Sequence, residues 1–172
     1  MRSQTVSMAY STAVASWAPY ETRYGAGWIG WTDDGTIEHL VLPGLPRPAG
    51  DASTGGSDVA QLARTLADYF NGVGECPPGD GFIRRASASS LDEAIYAVVT
   101  GIRTGSTMTY SEVAAEVHRP RAARAVGAAM ARNRFAPMIP CHRVLGFDGA
   151  LRGYAGGLEM KRALLDMEAT SG

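Results

Sequence analysis

The sequence predicts an α/β protein, in which a small N-terminal domain with an antiparallel sheet and a helix precedes a mainly helical C-terminal domain containing a helix-turn-helix. Three observations indicate this. A strand–turn–strand pattern occupies residues 25–44, an amphipathic helical pattern follows at 57–70, and helical patterns dominate after about residue 88. We place the domains at residues 1–80 and 88–172, with the loop-like stretch VGECPPGDGF as the linker.

The N-terminal elements follow from local patterns. Two strand-like runs, GWIGWT and TIEHLVL, flank the turn residues DDG and predict a hairpin. After a loop rich in Gly, Pro and Ser, the stretch SDVAQLARTLADYFNG predicts a helix, with Ser57 as its cap and Asn71–Gly72 at its end. Its apolar face consists of Val59, Leu62, Leu66 and Phe70.

The C-terminal elements are helices separated by short turns. The stretch SSLDEAIYAVVTGI has apolar residues at helical spacing behind a pair of serines that can cap it. Thr109 and Glu112 form a capping box that opens a short helix over residues 110–117. The turn HRP and a second helix over 121–131 complete a helix-turn-helix, and LEMKRALLDMEA forms the last helix.

Composition excludes several classes of protein. Of 172 residues, 45% are hydrophobic and 19% charged, so a packed core is expected and wholesale disorder is not. No apolar run is long enough to span a membrane and no signal peptide is recognisable, so we expect a soluble cytoplasmic protein. The three histidines are scattered and no CxxC or HxxxH spacing occurs, so we expect no metal.

The charges are distributed unevenly along the chain. The net charge is −1, but residues 1–100 carry 11 acidic and 6 basic side chains, whereas residues 101–172 carry 6 and 10. This asymmetry weakly suggests that the second part binds a polyanion.

The second helix of the helix-turn-helix has a surface of very small side chains beside three arginines. The small residues are Ala122, Ala125, Gly127, Ala128 and Ala129, and the arginines are Arg121, Arg124 and Arg132. An alanine-rich packing helix with solvated arginines would have this composition. A helix that approaches the minor groove of DNA closely, with an arginine entering the base stack, would also have it.

The stretch APMIPCHRVLG contains one of only two cysteines, Cys141, next to His142 and Arg143. A lone cysteine in an apolar run is most often a small buried hydrophobe. Cations beside a thiol, however, lower its pKa, and a carboxylate such as Glu168 on the last helix could orient the histidine. Cys141 is therefore a candidate nucleophile, with His142 acting through a water, whereas we expect Cys76 to be inert.

Four stretches together resemble the O6-alkylguanine-DNA alkyltransferase family, also named methylated-DNA–protein-cysteine methyltransferases. They are TYSEVA, RAARAVGAAMARN, IPCHRV and LRGYAGGLEMKRALLDME, in the order and spacing of the family. The resemblance covers about residues 88–170, and the N-terminal part matches only loosely through its hairpin. It implies direct-reversal DNA repair, in which an alkyl group on O6 of guanine in double-stranded DNA moves once and irreversibly to the protein, with no cofactor.

The resemblance also implies residue roles. Arg124 fills the place of the base that is flipped out through the minor groove, and the surface around it contacts DNA: Arg121, Ala125, Gly127, Ala128 and Arg132. Cys141 attacks the alkyl carbon, His142 is the base and Glu168 orients it, while Tyr110 donates a proton toward guanine and Asn133 holds the turn before the active-site segment. Pro140, Tyr154, Ala155 and Gly156 form the substrate pocket. We expect a monomer with no obligate protein partner.

The sequence departs from the family pattern in several places. Leu91, Asp92 and Tyr96 replace the usual residues of the helix before the helix-turn-helix, and Arg134 stands where proline is common.

Three other functions stay open: a relative that binds alkylated DNA and recruits other repair proteins, a DNA-binding regulator, and a cysteine hydrolase. Relatives of the first kind lack the cysteine, a regulator leaves PCHR unexplained, and a hydrolase would ignore DNA.

Overall fold

The computed structural model describes residues 14–82, here the N-terminal region, and 86–170, the C-terminal region. Four strands form a mixed sheet in the N-terminal region: β1 (Ser16–Thr22), β2 (Gly25–Trp31), β3 (Ile37–Val41) and β4 (Asp51–Ala52), in the order β3-β2-β1-β4. The predicted hairpin is β2–β3, which is antiparallel. The sequence did not predict β1, which is antiparallel to β2 and parallel to the short β4.

Helix α1 (Ser57–Phe70) packs against β1 and buries Val59, Leu66, Tyr69 and Phe70. It ends at Asn71, as predicted, and the left-handed backbone of Gly72 lets the chain turn away. The prediction that Ser57 caps the helix was wrong. Ser57 is its first residue, and Gly56 occupies the cap position without a side-chain hydrogen bond.

The C-terminal region is mainly helical. It contains α2 (Ser90–Thr100), β5 (Met108–Thr109), α3 (Tyr110–Glu116), α4 (Ala123–Arg132), β6 (Val144–Leu145) and α5 (Gly157–Ala169). Strands β5 and β6 form a two-stranded parallel sheet. Single turns of 3-10 helix lie at Asp80–Phe82 and Cys141–Arg143.

The helix-turn-helix is α3 and α4. The capping box forms as predicted: the Thr109 hydroxyl accepts from the Glu112 amide, and the Glu112 carboxylate accepts from the Thr109 amide. The second helix begins two residues later than predicted, because 117–122 are needed for the turn. His118 turns the chain there with a φ of 56°, in the left-handed region.

One continuous apolar core joins the two regions. The Leu40 amide of β3 donates to the carbonyl of Arg134 at 2.8 Å. Gly79 lies directly against the carbonyl of Met138, where a Cβ atom would be 2.2 Å from the oxygen. The N-terminal region therefore contacts the segment that leads from α4 to Cys141. Among the described residues, no helix is long and apolar enough to cross a membrane.

Two of the residues named above as departures, Tyr96 and Asp92, connect α2 to α4. The buried Tyr96 hydroxyl donates to the Ala129 carbonyl at 2.6 Å. The carboxylate of Asp92 accepts two hydrogen bonds from Arg132, each 2.9 Å long. Both contacts fix the position of α4 relative to the rest of the C-terminal region.

Candidate active site

The segment between α4 and Cys141 is held by Asn133, a buried residue at the end of α4. The Asn133 side-chain amide donates to the Ile139 carbonyl at 2.8 Å and to Cys141 Sγ at 3.2 Å. Its oxygen accepts from the Phe135 amide at 3.0 Å. These contacts close a tight loop, so one side chain both shapes the segment and contacts the thiol.

The Cys141 thiol is buried, and burial raises its pKa above the ordinary value of 9.0. The hydrogen bond from Asn133 and the charge of Lys161 act in the opposite direction. The prediction that the cations of His142 and Arg143 favour the thiolate was therefore wrong. Arg143 is paired elsewhere, and the cation that acts on the thiol is Lys161. A thiol in this state needs a base to react at neutral pH.

Lys161 lies on α5 and is completely buried. Its ammonium group donates to the carbonyls of Val144 at 2.7 Å and Arg152 at 3.2 Å. Burial lowers its pKa, while the Cys141 thiolate would raise it. The two carbonyls are neutral and do not balance the charge of the buried Lys161 ammonium group. This group therefore stabilises a negative charge on Cys141 Sγ.

Glu168, on the last turn of α5, is the centre of a buried hydrogen-bonded cluster. Its Oε1 accepts from Arg143 Nη2 at 2.7 Å and lies 3.0 Å from His142 Nε2, and its Oε2 accepts from Arg143 Nε at 2.9 Å. Burial alone would raise the pKa of this carboxyl group. The hydrogen bonds from His142, Arg143 and Tyr69 hold its pKa well below 4.5, so Glu168 is ionised at neutral pH.

The cluster determines the tautomer of His142. Burial lowers the pKa of His142 below 6.5, although Glu168 opposes this, so the ring is neutral at pH 7. An ionised carboxylate can only accept, and the ring proton must therefore be on Nε2. Nδ1 is then the unprotonated nitrogen. It is buried and has no protein hydrogen-bond partner among the described residues.

Cys141 lies in a cleft of about 410 Å³ beside α4. Of the predicted residues, Tyr110, Gly127, Asn133, Tyr154 and Ala155 line it with Cys141, and the sequence did not predict Met130, Ala131, Ala136 and Gly153 there. Pro140 and Gly156 do not line it. Pro140 lies at a separate cavity next to Arg143, and Gly156 packs near Met160 and Leu42. The Tyr154 hydroxyl is buried and has no partner among the described residues.

The residues predicted to contact DNA have different surroundings. Arg121, Arg124 and Ala128 are exposed on and before α4, while Ala125 and Gly127 are half-buried. Arg132 is paired with Asp92 instead of projecting freely. Arg134 lies 3.8 Å from the Glu38 carboxylate of β3.

The sequence interpretation assigned no role in the site to Tyr69 or Lys161. Both lie far along the chain from the cysteine motif and belong to helical patterns that look like ordinary packing or solvated charge. Among the described residues, no group of three or more His, Cys, Asp or Glu side chains is arranged to hold a metal ion.

The family model and the relatives that this chain matches carry related names. The family described as "6-O-methylguanine DNA methyltransferase, DNA binding domain" matches residues 90–170. A methylated-DNA–protein-cysteine methyltransferase of Methanothermobacter thermautotrophicus is 34% identical over 82% of this chain and 78% of its own length. The Methanosarcina barkeri protein of the same name is 42% identical, over 63% of this chain and 66% of its own length. The chain thus spans just under two thirds of that relative.

Solved structures agree over a larger part of the chain. The O6-methylguanine methyltransferase of Mycobacterium tuberculosis matches with a TM-score of 0.72 and 26% identity, over 91% of this chain and 94% of that protein. The structure of that organism's OGT in complex with DNA matches with the same TM-score and 27% identity.

Proposed function

Since this chain belongs to the methylated-DNA–protein-cysteine methyltransferase family, we propose that it repairs DNA by moving an alkyl group from O6-alkylguanine to its own Cys141. The observation that carries this proposal is the pairing of two features. A buried thiol lies in a cleft large enough for a small ligand, and a neutral histidine oriented by an ionised carboxylate is adjacent to it.

The proposed chemistry is a displacement at the alkyl carbon. His142 Nδ1 removes the thiol proton through one water, and Asn133 and Lys161 stabilise the thiolate as it forms. The S–C bond forms while the C–O6 bond breaks, and the electron pair of that bond passes into the guanine. The guanine takes up a proton, for which the half-buried Tyr110 in the cleft is the donor.

The product is a thioether, which has no good leaving group and does not hydrolyse under mild conditions. No second thiol is within the cleft, since the described lining contains Cys141 as its single cysteine. We therefore propose one transfer per protein molecule, without a cofactor.

The DNA side of the proposal depends on α4. Gly127 is on this helix and also lines the cleft, beside Tyr110. A nucleotide that turns out of a duplex lying on α4 would therefore enter next to Cys141. The small side chains of α4 suit a close approach to the minor groove, and the exposed Arg124 would occupy the vacated place in the stack.

The test is the intact mass of the protein after incubation with a duplex that contains one O6-methylguanine. We expect one added methyl group per protein, mapped by peptide analysis to Cys141 and absent in Cys141→Ala. Cys76→Ala is the matched control and should accept the methyl group normally, because Cys76 lies outside the cleft and burial raises the pKa of its thiol.

Other results would contradict the proposal. Tight binding to the damaged duplex without a mass change would indicate a recruiting protein. Binding to one DNA sequence without preference for the lesion would indicate a regulator. Repeated turnover of an ester by Cys141 would indicate a hydrolase.

A further inference from the structure

Tyr69 brings a hydroxyl group from the N-terminal region into the cluster around Glu168. It lies near the end of α1, and its Oη donates to Glu168 Oε1 at 2.6 Å and is 3.5 Å from His142 Nε2. We propose that Tyr69 is a positioning residue of the site, whose hydroxyl fixes the Glu168 carboxylate against His142 and so keeps Nδ1 available as the base. This inference rests on the proposed function and deepens it.

The direction of the hydrogen bond follows from the ionisation of both partners. Burial and the neighbouring Glu168 raise the pKa of Tyr69 far above 10.0, so the phenol stays neutral and carries its proton. Glu168 is ionised and can only accept. A hydrogen bond from a neutral donor to a buried carboxylate is charge-assisted and short, in agreement with the 2.6 Å distance.

Tyr69 holds the Glu168 carboxylate from a different part of the fold than the other hydrogen-bond donors do. His142 and Arg143 are consecutive residues, and both approach Glu168 from the same 3-10 turn. The Arg143 guanidinium is also anchored outside that turn, by hydrogen bonds to residues 102–104. Tyr69 adds a donor from α1 in the N-terminal region, so the Oε1 atom that faces His142 is fixed from a further element of the fold.

Tyr69 also affects the basicity of His142. Its hydrogen bond takes up part of the negative charge of Glu168 that would otherwise stabilise the imidazolium ion. Among the described residues, the ionisable groups that act on His142 or contact its ring include Glu168, Arg143, Lys161, Tyr69 and Tyr154, and the Cys141 thiol contacts the His142 backbone. Of these, Tyr69 can be changed by removing one oxygen atom without leaving a buried charge unpaired.

The experiment compares Tyr69→Phe with Tyr20→Phe. Tyr20 is the matched control because both tyrosines are 2% exposed and contact Phe70, but the Tyr20 hydroxyl donates to the Val41 carbonyl and not to Glu168. Single-turnover transfer from O6-methylguanine DNA is measured from pH 5 to pH 9. We expect Tyr69→Phe to reach the same final stoichiometry about tenfold more slowly, as for the loss of one hydrogen bond to a charged group.

The pH profile separates positioning from a purely structural role. In the parent protein the rate should fall only below pH 6.5, because burial lowers the pKa of His142 and the base works when it is unprotonated. In Tyr69→Phe the full charge of Glu168 acts on the ring, so this acid limb should move to higher pH. Tyr20→Phe should leave both rate and profile unchanged. Equal rates and profiles in the two variants would overturn the proposal.

A second measurement does not depend on activity. Nitrogen-15 NMR of the His142 ring reports which nitrogen carries the proton. It therefore also shows the pH at which the ring takes up its second proton. We expect this to happen at higher pH in Tyr69→Phe than in the parent protein and in Tyr20→Phe, because more of the Glu168 charge then acts on the ring. If the parent protein transfers no methyl group, the proposed function fails, but the NMR comparison still decides the inference: an unchanged titration of His142 in Tyr69→Phe would refute it.

Discussion

Replacing Asn133 by alanine should be the most damaging change of a single neutral side chain in the site. The substitution removes three contacts at once: the bonds to the Ile139 carbonyl, to Cys141 Sγ and from the Phe135 amide. Phe135 and Ile139 are both completely buried. Their backbone groups would therefore lose their Asn133 partner at a place that water does not reach in the folded protein.

The magnitude follows from those two backbone groups. The Phe135 amide would be left unsatisfied, at a cost of about 1–3 kcal/mol, whereas the Ile139 carbonyl keeps the hydrogen bond from the Cys141 amide at 2.8 Å and loses only one of two bonds, worth about 1 kcal/mol. Together these losses should lower the free energy of unfolding by about 2–4 kcal/mol. That is a large part of the roughly 5–15 kcal/mol that stabilises a typical domain. For a chain of this size it corresponds to a fall in Tm of about 10 °C.

Urea denaturation followed by circular dichroism would measure this, with Asn71→Ala as the control. Asn71 is also at the end of a helix, but its side-chain oxygen accepts one exposed hydrogen bond, from the Arg23 amide at 2.8 Å. We expect the control to lose less than about 1 kcal/mol. If the two variants unfolded at the same urea concentration, the reasoning that Asn133 holds the segment would be refuted.

Two further substitutions test the cluster and the contact between the regions. Glu168→Gln should lower the free energy of unfolding by about 3–5 kcal/mol in urea denaturation, because it leaves the buried Arg143 without its counter-charge, and a loss below 1 kcal/mol would contradict this. Gly79→Ala should slow methyl transfer and lower Tm, because its Cβ would lie 2.2 Å from the Met138 carbonyl oxygen. Gly81→Ala, whose Cβ would have open space, should leave both unchanged, and equal behaviour of the two alanines would argue against the contact.

Features set by neighbouring residues could be predicted from the sequence. The capping box depends on Thr109 and Glu112 alone, and the hairpin depends on its turn and the two strand-like runs beside it. The resemblance implied that Asn133 holds the turn before the active-site segment, and the Asn133 amide donates to the Ile139 carbonyl six residues further on; its contact with Cys141 Sγ was not predicted. The residues that form such a feature are close together in the chain, so a short stretch of sequence is enough to predict it.

Features that depend on distant residues could not be predicted. Strand β1 contains Pro19, which normally argues against a strand. It is tolerated because β4 pairs only with Ser16 and Trp17, so the strand is at the edge of the sheet from Pro19 onward. Lys161 and Tyr69 have ordinary sequence surroundings, and their roles come from burial and from contacts across the fold.

The contacts between the N-terminal and C-terminal regions have a consequence for dividing the chain. All four stretches that resemble the family lie after residue 88, yet the Leu40 amide and the Tyr69 hydroxyl both donate to groups of that later part. A polypeptide cut in the loop at 71–79 would give two pieces. Neither piece alone would contain all the hydrogen-bond donors that hold Glu168 and the segment before Cys141. Fragment complementation should therefore restore methyl acceptance only as fast as the two pieces associate, and the second-order rate constant of recovery would report that association directly.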